Sequence, residues 1–126
     1  MRKAVCTVII ENNRILLVKK NETWILPGGK PQGNETDIQC LARECKEELP
    51  KLNIRILKYL NVFSGITPHN NDELLAEVYL ASANGKIIPN AEINKAEWAS
   101  NPEEYNLSDI TKKIVIFLRE NKYLKT

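Results

Sequence analysis

Between Leu26 and Lys51 the chain reads LPGGKPQGNETDIQCLARECKEELPK, and no other stretch restricts the fold as much. Pro27, Gly28 and Gly29 cut off the short apolar piece Trp24-Ile25-Leu26, because proline fixes one dihedral and glycine reaches conformations closed to other residues. Thr36-Asp37-Ile38-Gln39 then fits a capping box, with the threonine hydroxyl taking a helix amide and the glutamine reaching back to the cap. A helix should begin there and end at Pro50. At about 100° per residue, Ile38, Leu41, Ala42, Cys45 and Leu49 share one face, and Glu44, Glu47 and Glu48 occupy an arc beside it. Acid therefore sits at the rim of the core.

Like charges three and four apart on a helix cost about 0.2–0.5 kcal/mol per pair, so the cluster Arg43, Glu44, Glu47 and Glu48 calls for a cation. A solvated face laced with Lys46 is the alternative. The upstream glycine turn and Glu35 weigh for the metal. Three carboxylates are hard oxygen ligands suited to Mg²⁺, with Mn²⁺ as a substitute, whereas zinc would want His or Cys. The flexible backbone at Gly28 and Gly29 can approach a ligand and offer a carbonyl to the ion, and Lys30 sits where an ammonium can contact phosphate oxygens. The chemistry these groups imply is metal-assisted attack of water on a phosphoanhydride.

The remaining sequence reads as support for this platform. Lys3 to Ile10 and Ile15 to Val18, separated by Glu11-Asn12-Asn13, predict a hairpin. Ile54 to Phe63 and Leu74 to Ala83 predict two more strands, Asn84-Gly85 signals a further hairpin turn, and a short apolar piece runs from Ala96 to Ala99. Ser108 can cap a last helix carrying the stripe Ile110, Ile114, Phe117 and Leu118. This order predicts an α/β fold, a mixed sheet between a helix on each face. The 126 residues form one domain, 1–126.

Gly29, five residues, Glu35, seven residues, then Arg43-Glu44-Cys45-Lys46-Glu47-Glu48 resembles the Nudix box, G-x5-E-x7-R-E-U-x-E-E-x-G-U, where U is a bulky aliphatic residue. Every charged position is in register over residues 29–51. The resemblance to the Nudix hydrolase superfamily, and within it to small MutT-like members, implies the Nudix-type α/β/α sandwich. It further implies that Glu44, Glu47 and Glu48 ligate metal with the Gly29 carbonyl, and that Arg43 and Glu35 position those glutamates through an ion pair. In MutT-type members a glutamate just before a late tryptophan also serves the metal site, a setting similar to Glu97-Trp98. Glu44 and Glu97 are both candidates for the base that activates water. The chain departs from the family pattern at Cys45, at Pro50 in place of glycine, and at Lys51 in place of an aliphatic residue, so the helix exit needs another apolar contact, from Leu52 or Ile54.

The reaction implied by the resemblance is pyrophosphohydrolysis of a nucleoside diphosphate linked to another group. A nucleoside triphosphate, oxidised or not, cut to monophosphate and pyrophosphate is the first expectation. ADP-ribose or a nucleotide sugar is the second, resting on Pro68, and a non-catalytic nucleotide-binding domain is the third. Trp24 and Tyr105 could stack a base or pack as core, and His69, alone in a polar loop, reads as a surface residue. The net charge of +2 with scattered basic residues argues against a nucleic-acid partner. No apolar run is long enough for a membrane span. Three unpaired cysteines suit reduced thiols in the cytoplasm. Monomer and homodimer both remain open.

Overall fold

The computed structural model describes residues 2–67 and 71–126, so Pro68 and His69 lie outside the described residues. In chain order the elements are β1 (Arg2–Glu11), β2 (Arg14–Lys20), β3 (Thr23–Ile25), β4 (Gly28–Gly29), α1 (Asp37–Glu48), β5 (Leu52–Ile66), β6 (Glu73–Gly85), β7 (Lys95–Ala99), a 3-10 turn (Pro102–Glu104) and α2 (Asp109–Glu120). β1 and β2 form the expected hairpin, with Ile10 opposite Ile15. Its turn residues Asn12 and Asn13 hold φ of +52° and +58°, the left-handed pair that matches the twist of a two-residue loop.

The sheet runs β3-β2-β1-β6-β5, with β4 added on β1 and β7 on β2. It is mixed: β1 and β6 are parallel from Arg2↔Leu74 to Ile9↔Ala81, and the remaining pairings are antiparallel. Because side chains alternate along a strand, β1 supplies both faces. Val8 packs with Leu17, Ile110, Ile114 and Leu118 on the α2 side. Val5 packs with Cys40 and Leu41, and Ile9 with Leu49, on the α1 side. The result is the three-layer α/β/α sandwich. No described helix is long and apolar enough to cross a membrane.

Two expectations need correction, and a third is met. α1 begins with the capping box at Thr36 and Gln39, but its buried stripe is rotated toward the acids. Ile38 is 45% exposed and Ala42 is exposed, while Cys40 is fully buried. The seam follows Leu41, Cys45 and Glu48 because β1 and the glycine strand β4 lie under that side. Asn84-Gly85 does not turn a hairpin either. β6 pairs with β5 across the 67–72 connection, and Gly85, at φ +116°, ends β6 where a Cβ would strike the Lys51 carbonyl. Ile87 and Ile88 consequently form no strand. At the helix exit, Leu52 is buried against Leu49, Ile9 and Leu16, so the apolar contact missing at Lys51 comes from the next residue.

Candidate active site

Thr7 donates its amide to the Pro27 carbonyl at 3.0 Å, and Gly28 and Gly29 pair with Cys6 and Val5 of β1. A side chain at Gly28 would collide with the Val5 carbonyl, and one at Gly29 with the Glu44 carboxylate. The first glycine is therefore required by its close approach to the sheet, and the second leaves room for the Glu44 carboxylate. The Gly29 carbonyl faces α1 and receives a weak bond from Cys40 Sγ at 3.7 Å.

Arg43 is the hub of the helix's outer edge. Its guanidinium donates two bonds to Glu35, at 2.7 and 3.0 Å, a third to Glu44 Oε1 at 2.6 Å and a fourth to the Lys30 carbonyl at 3.0 Å. A planar fork with donors on two sides is what allows one residue to hold two carboxylates and a loop. The bonds to Glu35, then to Glu44, raise the Arg43 pKa, and the Arg43 bond, followed by that from the Gln32 amide, holds Glu35 below the usual range. Glu47 is more remote, its side chain 55% exposed and 3.7 Å from Arg43.

Glu48 is different. It is only 4% exposed and accepts the Gly28 amide at 3.2 Å. Burial, reinforced by Glu44 and Glu92, pushes its pKa up to about 8 against the pull of Gly28 and Lys20. A carboxylate that the fold buries next to two others is an environment that a cation would relieve.

Glu44 and Glu48 border a cavity of about 400 Å³ together with Gly28, Gly29 and Lys30. Lys20 and Glu92 complete this charged end, 3.6 Å from each other. Neither was singled out by sequence pattern. They meet because β7 pairs antiparallel with β2, Lys95 opposite Lys19, so the loop before β7 finishes where β2 ends. The only local signal was an acid in a polar loop. Glu97 lies on β7 opposite Leu17, accepts the Tyr105 hydroxyl at 2.8 Å and does not line the cavity.

The rest of the lining is largely apolar and includes Ala4, Cys6, Leu26 and Ile110, together with Arg2 and the hydroxyls of Ser108 and Thr111, 2.7 Å apart. Ala4 and Ala76 are register partners in β1 and β6, and these small side chains leave space where α2 begins. Ser108 is brought there by its amide bond to the Trp24 carbonyl at 3.2 Å. Trp24 itself is buried and packs edge-on against Tyr105 at 5.1 Å, so this pair forms part of the core.

Among the described residues the donors around the charged end are hard oxygen, and so fit Mg²⁺ or Mn²⁺. Among the described residues no three acidic, His or Cys side chains converge as a ready metal cage, since Arg43 draws Glu44 and the Gly28 amide draws Glu48.

The NUDIX domain family model matches residues 1–119. Among solved structures, the MutT NUDIX hydrolase from Burkholderia pseudomallei superposes with a TM-score of 0.82 at 25% identity, over 94% of this chain and 98% of that one. A UDP-X diphosphatase gives 0.78 at 19% identity, over 97% of this chain and 64% of that one. An ADP-ribose pyrophosphatase from Streptococcus suis gives 0.74 at 18% identity, over 99% and 94%. Comparison with curated proteins gives no match.

Proposed function

Because the chain belongs to the NUDIX family, we propose that it is a Mg²⁺-dependent pyrophosphohydrolase, with Mn²⁺ as a substitute, that cuts a nucleoside triphosphate to the monophosphate and pyrophosphate. The observation that carries this reading is one cavity lined both by the acids Glu44, Glu48 and Glu92 and by a largely apolar set of side chains. That polarity matches a substrate with a phosphate chain at one end and a base at the other. At about 400 Å³ the cavity is near the small end of ligand sites, which favours a single nucleoside over a substrate bearing a second sugar such as ADP-ribose.

In this reading Glu44, Glu47 and Glu48 hold the ion, with the Gly29 carbonyl beside them. When held there, such an ion would supply charge neutralisation at the phosphates and a more acidic water. Arg43, anchored on Glu35, fixes the direction of Glu44, and a lysine could not replace its fork. Lys20 and Lys30, which both line the cavity, bind phosphate oxygens, Lys20 leaving its pairing with Glu92 to do so. Gly28 holds Glu48 by its amide and lets the backbone come close to the substrate. Glu92, thereby freed, takes the proton of the attacking water, a role that Glu97 is poorly placed to fill while it faces Tyr105. The base packs against the apolar lining, where the Ser108–Thr111 pair has one hydroxyl hydrogen left to donate.

The test is turnover of a panel of nucleoside triphosphates, ADP-ribose and nucleotide sugars by wild-type protein and Glu48→Gln, with products separated by chromatography. Triphosphates should be preferred, and the variant should lose metal-dependent turnover by orders of magnitude. Unchanged activity in Glu48→Gln would sink the assignment.

A further inference from the structure

The departure from the family pattern at Pro50 leaves α1 without a glycine exit, and the way the helix end is satisfied bears on the acidic site. The last carbonyls of a helix have no partner within it. Asn90, in the loop between β6 and β7, supplies donors to two of them. Its backbone amide bonds the Glu48 carbonyl at 2.9 Å, and its side-chain amide bonds the Glu47 carbonyl at 3.1 Å. The same residue opens the turn that carries Glu92: the Ile93 amide bonds the Asn90 carbonyl at 3.1 Å, and Ala91 is held at φ +56°, a conformation that costs a residue with a side chain. Beyond the turn, Ile93 is buried against Leu49 and Leu52, and the Asn94 amide bonds the Lys19 carbonyl at 2.8 Å.

One asparagine thus joins the helix end that presents Glu47 and Glu48 to the turn that presents Glu92. We infer that Asn90 is a positioning residue, a clamp that fixes the Glu92 carboxylate relative to the carboxylates of α1 and so sets the geometry of the acidic end. The inference rests on the proposed role of Glu92. Asn90 does not line the cavity, so it acts only through its neighbours.

The experiment is a double-mutant cycle of Asn90→Ala and Glu92→Gln in the full chain. Readouts are kcat and KM for a nucleoside triphosphate with Mg²⁺, and Mn²⁺ affinity of the nucleotide-free protein by calorimetric titration. Asn90→Ala should lower kcat about tenfold through misplacement of Glu92, keep KM within about twofold, and weaken Mn²⁺ binding several-fold. In the Glu92→Gln background it should cause no further loss of kcat, because residues acting as one unit are not additive. Asn90→Ser, which keeps a short side-chain donor, should recover part of the loss. An equal loss of kcat in both backgrounds would mean that Asn90 supports only the fold and would overturn the inference, as would an unchanged kcat in Asn90→Ala. If Glu92→Gln alone matches wild type, the assignment of Glu92 falls first and the inference with it, a result distinct from failure of the clamp alone.

Discussion

Burial of Glu48 predicts that the ion-free protein is destabilised by this buried carboxylate, and that removing the charge stabilises it. In the folded chain the Glu48 carboxyl titrates at about 8, against an ordinary value of 4.5. A raised acid pKa means that the folded state holds the proton more tightly than the unfolded state. The stability this contributes is fully present below about pH 4.5, declines as pH rises, and is lost once pH passes about 8. At about 1.4 kcal/mol per unit, the full span is worth about 5 kcal/mol, and the near-complete burial of the side chain leaves little screening to discount it. Glu48→Gln mimics the protonated form at every pH. In EDTA, its melting temperature should therefore match wild type near pH 5 and exceed it by about 10–20 °C at pH 9. Carboxylates such as Glu35, Asp37 and Glu103, whose pKa values are lowered, act alike in both proteins and cancel in the difference. Adding Mg²⁺ at pH 9 should raise the wild type toward the variant and leave the variant nearly unmoved. Parallel melting curves for the two proteins from pH 5 to pH 9 in EDTA would refute the burial argument.

Two further substitutions separate site geometry from folding. Gly29→Ala places a Cβ against the Glu44 carboxylate, the movable end of a side chain, so turnover should fall about a hundredfold while the melting temperature moves by only a few degrees. Thr36→Ala removes the bond from the Gln39 amide at 3.2 Å and should cost about 1 kcal/mol of stability by thermal denaturation, with turnover at moderate temperature unchanged.

What could be read from the chain is what neighbouring residues decide among themselves. The Thr36–Gln39 cap lies three residues apart and the Asn12-Asn13 turn spans adjacent positions, so local chemistry settled both. The ladder of charges along one helix placed Glu44 and Glu48 together at the rim of the core for the same reason. Local signals also misled where a distant segment took control. Ile38 has the spacing of a core residue, yet the pairing of β4 with β1 turns α1 so that Cys40 is buried in its place. Asn84-Gly85 is a hairpin signal whose glycine is required instead by the Lys51 carbonyl at the start of β5.

The acidic end of the cavity shows the limit most sharply. Half of it follows from the helix, but Glu92 joins only because β7 pairs with β2, a register that no window around residue 92 contains. Pro50 deepens the dependence: without a glycine exit, the Glu47 carbonyl receives its donor from Asn90, 43 positions away. A helix end that must borrow its cap from a distant loop also fixes where that loop can go. The irregular exit that weakened the family pattern in the sequence is thereby the feature that holds the two halves of the acidic end in register, and a family-like glycine at position 50 would remove the need for that cap without restoring the position of Glu92.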